Sequence, residues 1–125
     1  MNASWLDVGL QDKHGRTSLH WAARGGRVDI VTDLLNLGAD VNLGDEYGCT
    51  PLHMAAEFAR IDTIKELCRH GADVNRRNKD NWTPLHVAGC CGLTDVMNEL
   101  LLHGADPSLR NNLGQTAKNL TLFSG

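Results

Sequence analysis

Three histidines, His20, His53 and His86, recur 33 residues apart, and each is a residue type that can ligate a metal or act as a general base. The regular spacing argues for a different role. A general base is needed once, beside one specific partner, and a metal needs three or four ligands converging on one point. A histidine that returns in the same slot of successive units is better explained by a structural hydrogen bond to the neighbouring turn. His70 and His103 fall at the ends of apolar helical runs, where a positive partial charge suits the helix dipole. The four cysteines, Cys49, Cys68, Cys90 and Cys91, show neither Cys-x-x-Cys zinc spacing nor a small secreted disulfide framework. Cys90 and Cys91 are adjacent, so their side chains diverge, while Cys68 stands where other units have Leu35 and Leu101 and reads as a small buried hydrophobe. Gly-rich phosphate loops, His-Glu-x-x-His and Gly-x-Ser-x-Gly are all missing from the sequence. The expectation is no catalytic residue, no metal and no cofactor.

Composition narrows the class further. The chain has 125 residues and a formal charge of −3, from 12 Lys+Arg against 15 Asp+Glu. It lacks the cationic excess that phosphate-backbone binding needs, so nucleic acid is not expected as a partner. An apolar run of the ~20 residues needed to span a bilayer is missing as well, so no membrane partner is expected. Met1 to Asp7 has neither a basic n-region nor an apolar h-region, and with the cysteine pattern this points to a reducing cytoplasmic or nuclear setting. Only six residues are aromatic, while glycine reaches 13, implying a core of aliphatic side chains and many tight turns.

The elements that position these residues follow from an internal period. Asp12-Lys-His-Gly-Arg-Thr-Ser-Leu-His-Trp-Ala-Ala23 returns as Asp45-Glu-Tyr-Gly-Cys-Thr-Pro-Leu-His-Met-Ala-Ala56 and as Asn78-Lys-Asp-Asn-Trp-Thr-Pro-Leu-His-Val-Ala-Gly89. Thr17, Thr50, Thr83 and Thr116 keep the 33-residue step, as do the Gly-Ala-Asp tripeptides at 38–40, 71–73 and 104–106. Threonine ahead of an apolar periodic run can cap a helix, and proline just after it fills the first helical position at no cost. A short first helix is therefore predicted to begin near Ser18, Pro51 and Pro84, burying Leu19, Ala22 and Ala23 and their counterparts. Gly26 and Gly92 end it in the left-handed region, and a second helix follows, carrying Val28, Val31, Leu34 and Leu35 in the first unit. Gly38, Gly71 and Gly104 end that helix, and the segment from Ala39 to Gly48 reads as a tight hairpin-like turn. Ala59 occupies the Gly26 and Gly92 slot, where a left-handed alanine costs roughly 1 kcal/mol, so the second unit is expected to bend differently or be less stable. Asn81, in the Gly15 and Gly48 slot, tolerates that region better.

The Thr-Pro-Leu-His-x-Ala signature at Thr50 to Ala55 and Thr83 to Ala88, and with Ser18 for proline at Thr17 to Ala22, resembles the ankyrin repeat over nearly the whole chain. The resemblance implies an all-α solenoid of stacked helix-turn-helix units. We divide the chain, as a single domain, into the tail of an incomplete unit at 1–11, full repeats at 12–44, 45–77 and 78–110, and a partial C-terminal cap at 111–125. The tail suggests a fragment, a shortened isoform or a family member without a full N-terminal cap. Lys118 and Asn119, where other units have leucine and histidine, suit a solvent-facing end.

The resemblance also implies a non-catalytic module that binds a partner protein or peptide, with turn tips and first helices lining a concave groove. The repeats differ most at Lys13, His14, Arg16 and Arg24; at Glu46, Tyr47, Cys49, Glu57 and Phe58; and at Lys79, Asp80, Trp82, Cys90 and Cys91. These are the candidate contact residues, with Tyr47, Phe58 and Trp82 supplying apolar contact. Trp21 and Met54 share one helical slot and are expected to pack between repeats. Two other roles follow from the same resemblance: a substrate of an asparaginyl hydroxylase at Asn42 or Asn75, or a regulatory or adaptor fragment of a larger repeat protein. The chain is expected to be a monomer.

Overall fold

A computed structural model describes residues 7–121, so the first six residues of the expected N-terminal tail and the last four of the C-terminal unit lie outside it. All regular elements among the described residues are helices. They are α1 (Ser18–Arg24), α2 (Val28–Asn36), α3 (Pro51–Glu57), α4 (Ile61–Arg69), α5 (Pro84–Cys90), α6 (Thr94–Leu102) and α7 (Ala117–Thr121).

Each first helix begins as the sequence requires. Thr17, Thr50 and Thr83 are extended N-cap residues whose hydroxyls accept from the backbone N–H of His20, His53 and His86. The histidine rings return the favour through Nδ1, which accepts from the threonine N–H at 3.1, 3.0 and 3.1 Å, closing a capping box in every unit. At α7 the same box is built with asparagine: Asn119 Oδ1 accepts from Thr116 N at 2.9 Å, and Thr116 Oγ1 accepts from Asn119 N at 3.3 Å. Asn119 therefore has a local capping role in addition to suiting solvent.

The helices stack in two rows. First helices α1, α3, α5 and α7 touch in succession, second helices α2, α4 and α6 do likewise, and each pair packs internally. Between the rows lies a core of aliphatic side chains repeated with the period, including Leu19, Leu52 and Leu85, the Ala22 and Ala55 slot, Val31 and Ile64, and Leu67 and Leu100. No unit encloses such a core alone, so its stability comes from its neighbours. The small slot of Ala23 and Ala56 becomes Gly89 in the third unit because α7 approaches there: a Cβ on Gly89 would stand 2.6 Å from the Ala117 carbonyl oxygen.

The turns between units are tied to themselves and to each other. Asp12, Asp45, Asn78 and Asn111 each close a turn through two backbone N–H bonds to the same side-chain oxygen, as in Asp45 Oδ1 accepting from Tyr47 and Cys49 at 2.9 Å each. Successive tips are joined by single backbone bonds from Glu46 N to the His14 carbonyl, Lys79 N to the Tyr47 carbonyl and Asn112 N to the Asp80 carbonyl.

Ala59 is left-handed, at φ 57°, beside Gly26 at 70° and Gly92 at 68°. The second unit does not bend differently: α3 and α4 have the same lengths, 7 and 9 residues, as the pairs on either side. The strain is thus held locally, at the turn between α3 and α4. Because Ala59 is exposed, removing its methyl opens no cavity. Ala59→Gly is expected to raise the unfolding free energy by about 0.5–1 kcal/mol after allowing for the greater freedom of glycine in the unfolded chain. Thermal denaturation checks this, and a Tm equal to or below that of the wild type would refute it.

Candidate functional site

The three repeated histidines are structural. Each ring is buried, its Nδ1 is occupied by the threonine N–H, and its Nε2 reaches the carbonyl of the next unit: Cys49 at 2.9 Å, Trp82 at 2.8 Å and Gln115 at 2.9 Å. With Nδ1 accepting, Nε2 must carry the proton and donate it, so a single neutral tautomer satisfies both ends. Nothing is left over to ligate a metal or move a substrate proton. Burial pushes His53 down to about 4, against the opposing bond to Trp82 and the charge of Asp45, with His20 and His86 adding to the depression. His20 is lowered in the same way, again chiefly by burial.

Cys49, Cys68 and Cys91 are likewise poorly suited to nucleophilic chemistry. Burial raises Cys49 and Cys91 above the ordinary thiol range and pushes Cys68 up to about 11. All four are free thiols, two of them exposed. A depressed, not an elevated, pKa is what an attacking thiolate needs. Cys68 packs against the core, as its leucine counterparts suggested.

Two sets of direct contacts form around the repeat-variable residues of the turn tips and first helices. At the first unit, the Arg16 guanidinium carbon lies 5.4 Å and that of Arg24 5.5 Å from the Trp21 ring centre, and Arg24 is also 4.7 Å from the Phe58 ring. These contacts are of the cation–π kind. At the tips, His14 Nδ1 meets Glu46 Oε2 at 3.3 Å, Arg16 Nε donates to Asp45 Oδ2 at 3.2 Å, and Glu46 raises the neighbouring Tyr47 phenol. Further along, the Glu57 charge adds to the raising of the Cys49 and Cys91 thiols, which is due first to burial. Lys13, Lys79, Asp80 and Cys90 are exposed.

Three residues sit differently from expectation. Trp21 is 45% exposed, whereas Met54 in the same slot is 7% exposed. Its indole Nε1 donates to Asp12 Oδ2 at 3.1 Å, and with the two arginines this holds the ring on the surface, where it does not pack between repeats. Trp82 is only half-buried rather than displayed, because its ring leans on His86 at a centroid distance of 6.0 Å. Cys49 is half-buried too, its Sγ accepting from Asn78 Nδ2 at 3.5 Å. Tyr47 and Phe58 are exposed, as the candidate surface requires.

Asn42 and Asn75 act as staples between turns. Asn42 Oδ1 accepts from Asp73 N at 2.7 Å and its Nδ2 donates to the Gly71 carbonyl at 3.4 Å; Asn75 repeats this with Asp106 and Gly104 at 2.7 and 3.3 Å. Sequence reasoning also passed over Glu66, a buried carboxylate that accepts from Thr32 Oγ1 at 2.7 Å, Arg69 at 2.8 Å and His70 at 3.1 Å. The Thr32 hydroxyl is the chief reason its pKa is lowered. Its only trace in the sequence is the Glu66–His70 spacing, repeated at Glu99–His103.

A stack of capped helix pairs, with its polar histidines and threonines used up in joining one unit to the next, is a repeat solenoid. The family model described as ankyrin repeats (3 copies) matches residues 2–78 and 37–111, and the chain belongs to the ankyrin-repeat family. No curated protein matches the chain. Members of this family are generally non-catalytic protein-interaction modules. Among the described residues no helix is long and apolar enough to cross a membrane.

Proposed function

We propose that the chain is a single, monomeric interaction domain that binds a partner protein or peptide across the turn tips and first helices, and that it has no catalytic activity of its own. The observation that carries this reading is the run of exposed rings, Trp21, Tyr47 and Phe58, on that surface in a chain with only six aromatic residues. Aromatic and arginine side chains dominate binding hot spots, and here arginines lie directly against two of the rings. The cysteine spacing, which fits no secreted disulfide framework, is in keeping with a reducing, cytoplasmic or nuclear setting.

Affinity capture from cell lysate tests the surface, comparing the wild type with Tyr47→Ala and Phe58→Ala after confirming that both variants melt near the wild type. Each variant is expected to weaken a captured partner by roughly tenfold or more, the range of a hot-spot residue. Unchanged partners and affinities for both variants would rule this surface out.

A further inference from the structure

Arg24 differs from the cations around it. Arg16 is engaged by Asp45, and the Arg60 Nε donates to the Arg24 carbonyl at 3.0 Å. The Arg24 guanidinium is exposed, and among the described residues no carboxylate or carbonyl accepts from it. Its environment is instead two rings, Trp21 on its own helix and Phe58 at the end of α3, both within 5.5 Å.

Ring contact of this kind supplies no carboxylate or carbonyl acceptor, so the in-plane N–H groups of the guanidinium keep their strongest hydrogen bonds for a ligand. The side chain is thereby held in place before any ligand arrives, with its donors unspent. A planar carboxylate is the group whose two oxygens match that edge. Trp21 is itself fixed by Asp12, so the platform under Arg24 does not need to form on binding. The charge pattern confines this preference to one end of the surface. Lys13 and Arg16 lie in the same unit as Arg24, whereas the next unit places Glu57 in the Arg24 slot and Glu46 at its tip.

We propose that this end of the surface receives an aspartate or glutamate side chain of a partner polypeptide, its carboxylate paired with the edge of Arg24 and an adjoining apolar residue laid against Trp21 and Phe58. The carboxylate site rests on the interaction-module reading and names the chemistry of the partner. Glu46 and Glu57 of the next unit disfavour a uniformly acidic segment, so the matching sequence is an acidic residue followed by uncharged ones.

Short random peptides displayed on phage, selected against the immobilised full chain, provide the probe. The recovered peptides are synthesised and titrated against the wild type, Arg24→Gln, Arg24→Lys and Tyr47→Ala, with thermal melts confirming that each variant folds. Enrichment of Asp or Glu among the peptides is expected, together with roughly tenfold weaker binding to Arg24→Gln and a smaller loss as salt is raised. Arg24→Lys, which keeps the charge without the planar fork, is expected to restore only part of the affinity. Peptides without acidic enrichment, or affinity for Arg24→Gln within about twofold of the wild type, would overturn the carboxylate site. If Tyr47→Ala weakens binding and Arg24→Gln does not, the interaction surface stands and the carboxylate site falls. If neither variant weakens binding, or no peptide is recovered, both fall.

Discussion

Replacing His53 by alanine is expected to lower the unfolding free energy by about 3–4 kcal/mol, a large part of the 5–15 kcal/mol typical of a domain. The loss has identifiable components. Without the ring, the Thr50 N–H and the Trp82 carbonyl lose the partners that now lie at 3.0 and 2.8 Å, and each unsatisfied buried group costs about 1–3 kcal/mol. A void is left between two rows of packed helices, where surrounding side chains relax only in part. His20→Ala and His86→Ala remove the same set of bonds, with acceptors Cys49 and Gln115. They are nevertheless expected to cost less. In a solenoid each unit contacts only its neighbours, and α3 lies between α1 and α5, so damage at His53 weakens two interfaces between complete repeats. Urea denaturation followed by circular dichroism checks the order. Equal losses at the three positions would show that stability is not distributed along the stack by nearest-neighbour contact.

The histidine slots show how much of the fold was legible in the sequence. Thr50, Pro51 and His53 act within one turn of helix, so their spacing alone discloses the cap, and the 33-residue recurrence discloses the bond to the next unit. The same is true of Ala59, whose slot is defined by glycines a unit away on either side. The surface was less legible. Trp21 and Met54 occupy equivalent slots, yet one is displayed and the other buried, because burial depends on what the rings and cations nearby do. The contact of Arg24 with Phe58 joins residues 34 apart whose types carry no common periodic signal. Glu66 was missed for a similar reason: a carboxylate on a helix reads as solvated unless the Thr32 hydroxyl of the preceding unit is known to face it. Repetition exposes the groups that hold the stack together, and variation alone does not say which of the remaining groups touch each other.

The neutral tautomer of His53 gives the stack a pH dependence whose sign can be worked out. In the folded chain burial holds this imidazole at about 4, while the unfolded chain titrates near the ordinary 6.5. Between those values the unfolded state binds the proton and the folded state does not, so stability is complete above about pH 6.5 and falls as the pH is lowered toward 4. At about 1.4 kcal/mol per pKa unit, the difference amounts to about 2 kcal/mol at pH 5 and about 3 kcal/mol at pH 4. His20, lowered for the same reason, acts in the same direction. The carboxylates contribute in a lower window: Asp12, Glu66 and Asp106 are all held below their usual values, so the stability they supply is present above their unfolded values of 3.8, 4.5 and 3.8 and is lost as pH falls further. The range from pH 6.5 to about 4.5 therefore reports chiefly on His53 and His20. His53→Asn separates the two effects, since Asn119 shows that asparagine closes the capping box in this slot, and asparagine does not titrate. The variant is expected to be about 1–2 kcal/mol less stable at pH 7 for want of the bond to Trp82, yet to lose less than the wild type between pH 6.5 and 4.5. Urea denaturation at half-unit pH steps measures both slopes, and a wild type equally stable at pH 7 and pH 5 would contradict the buried neutral imidazole.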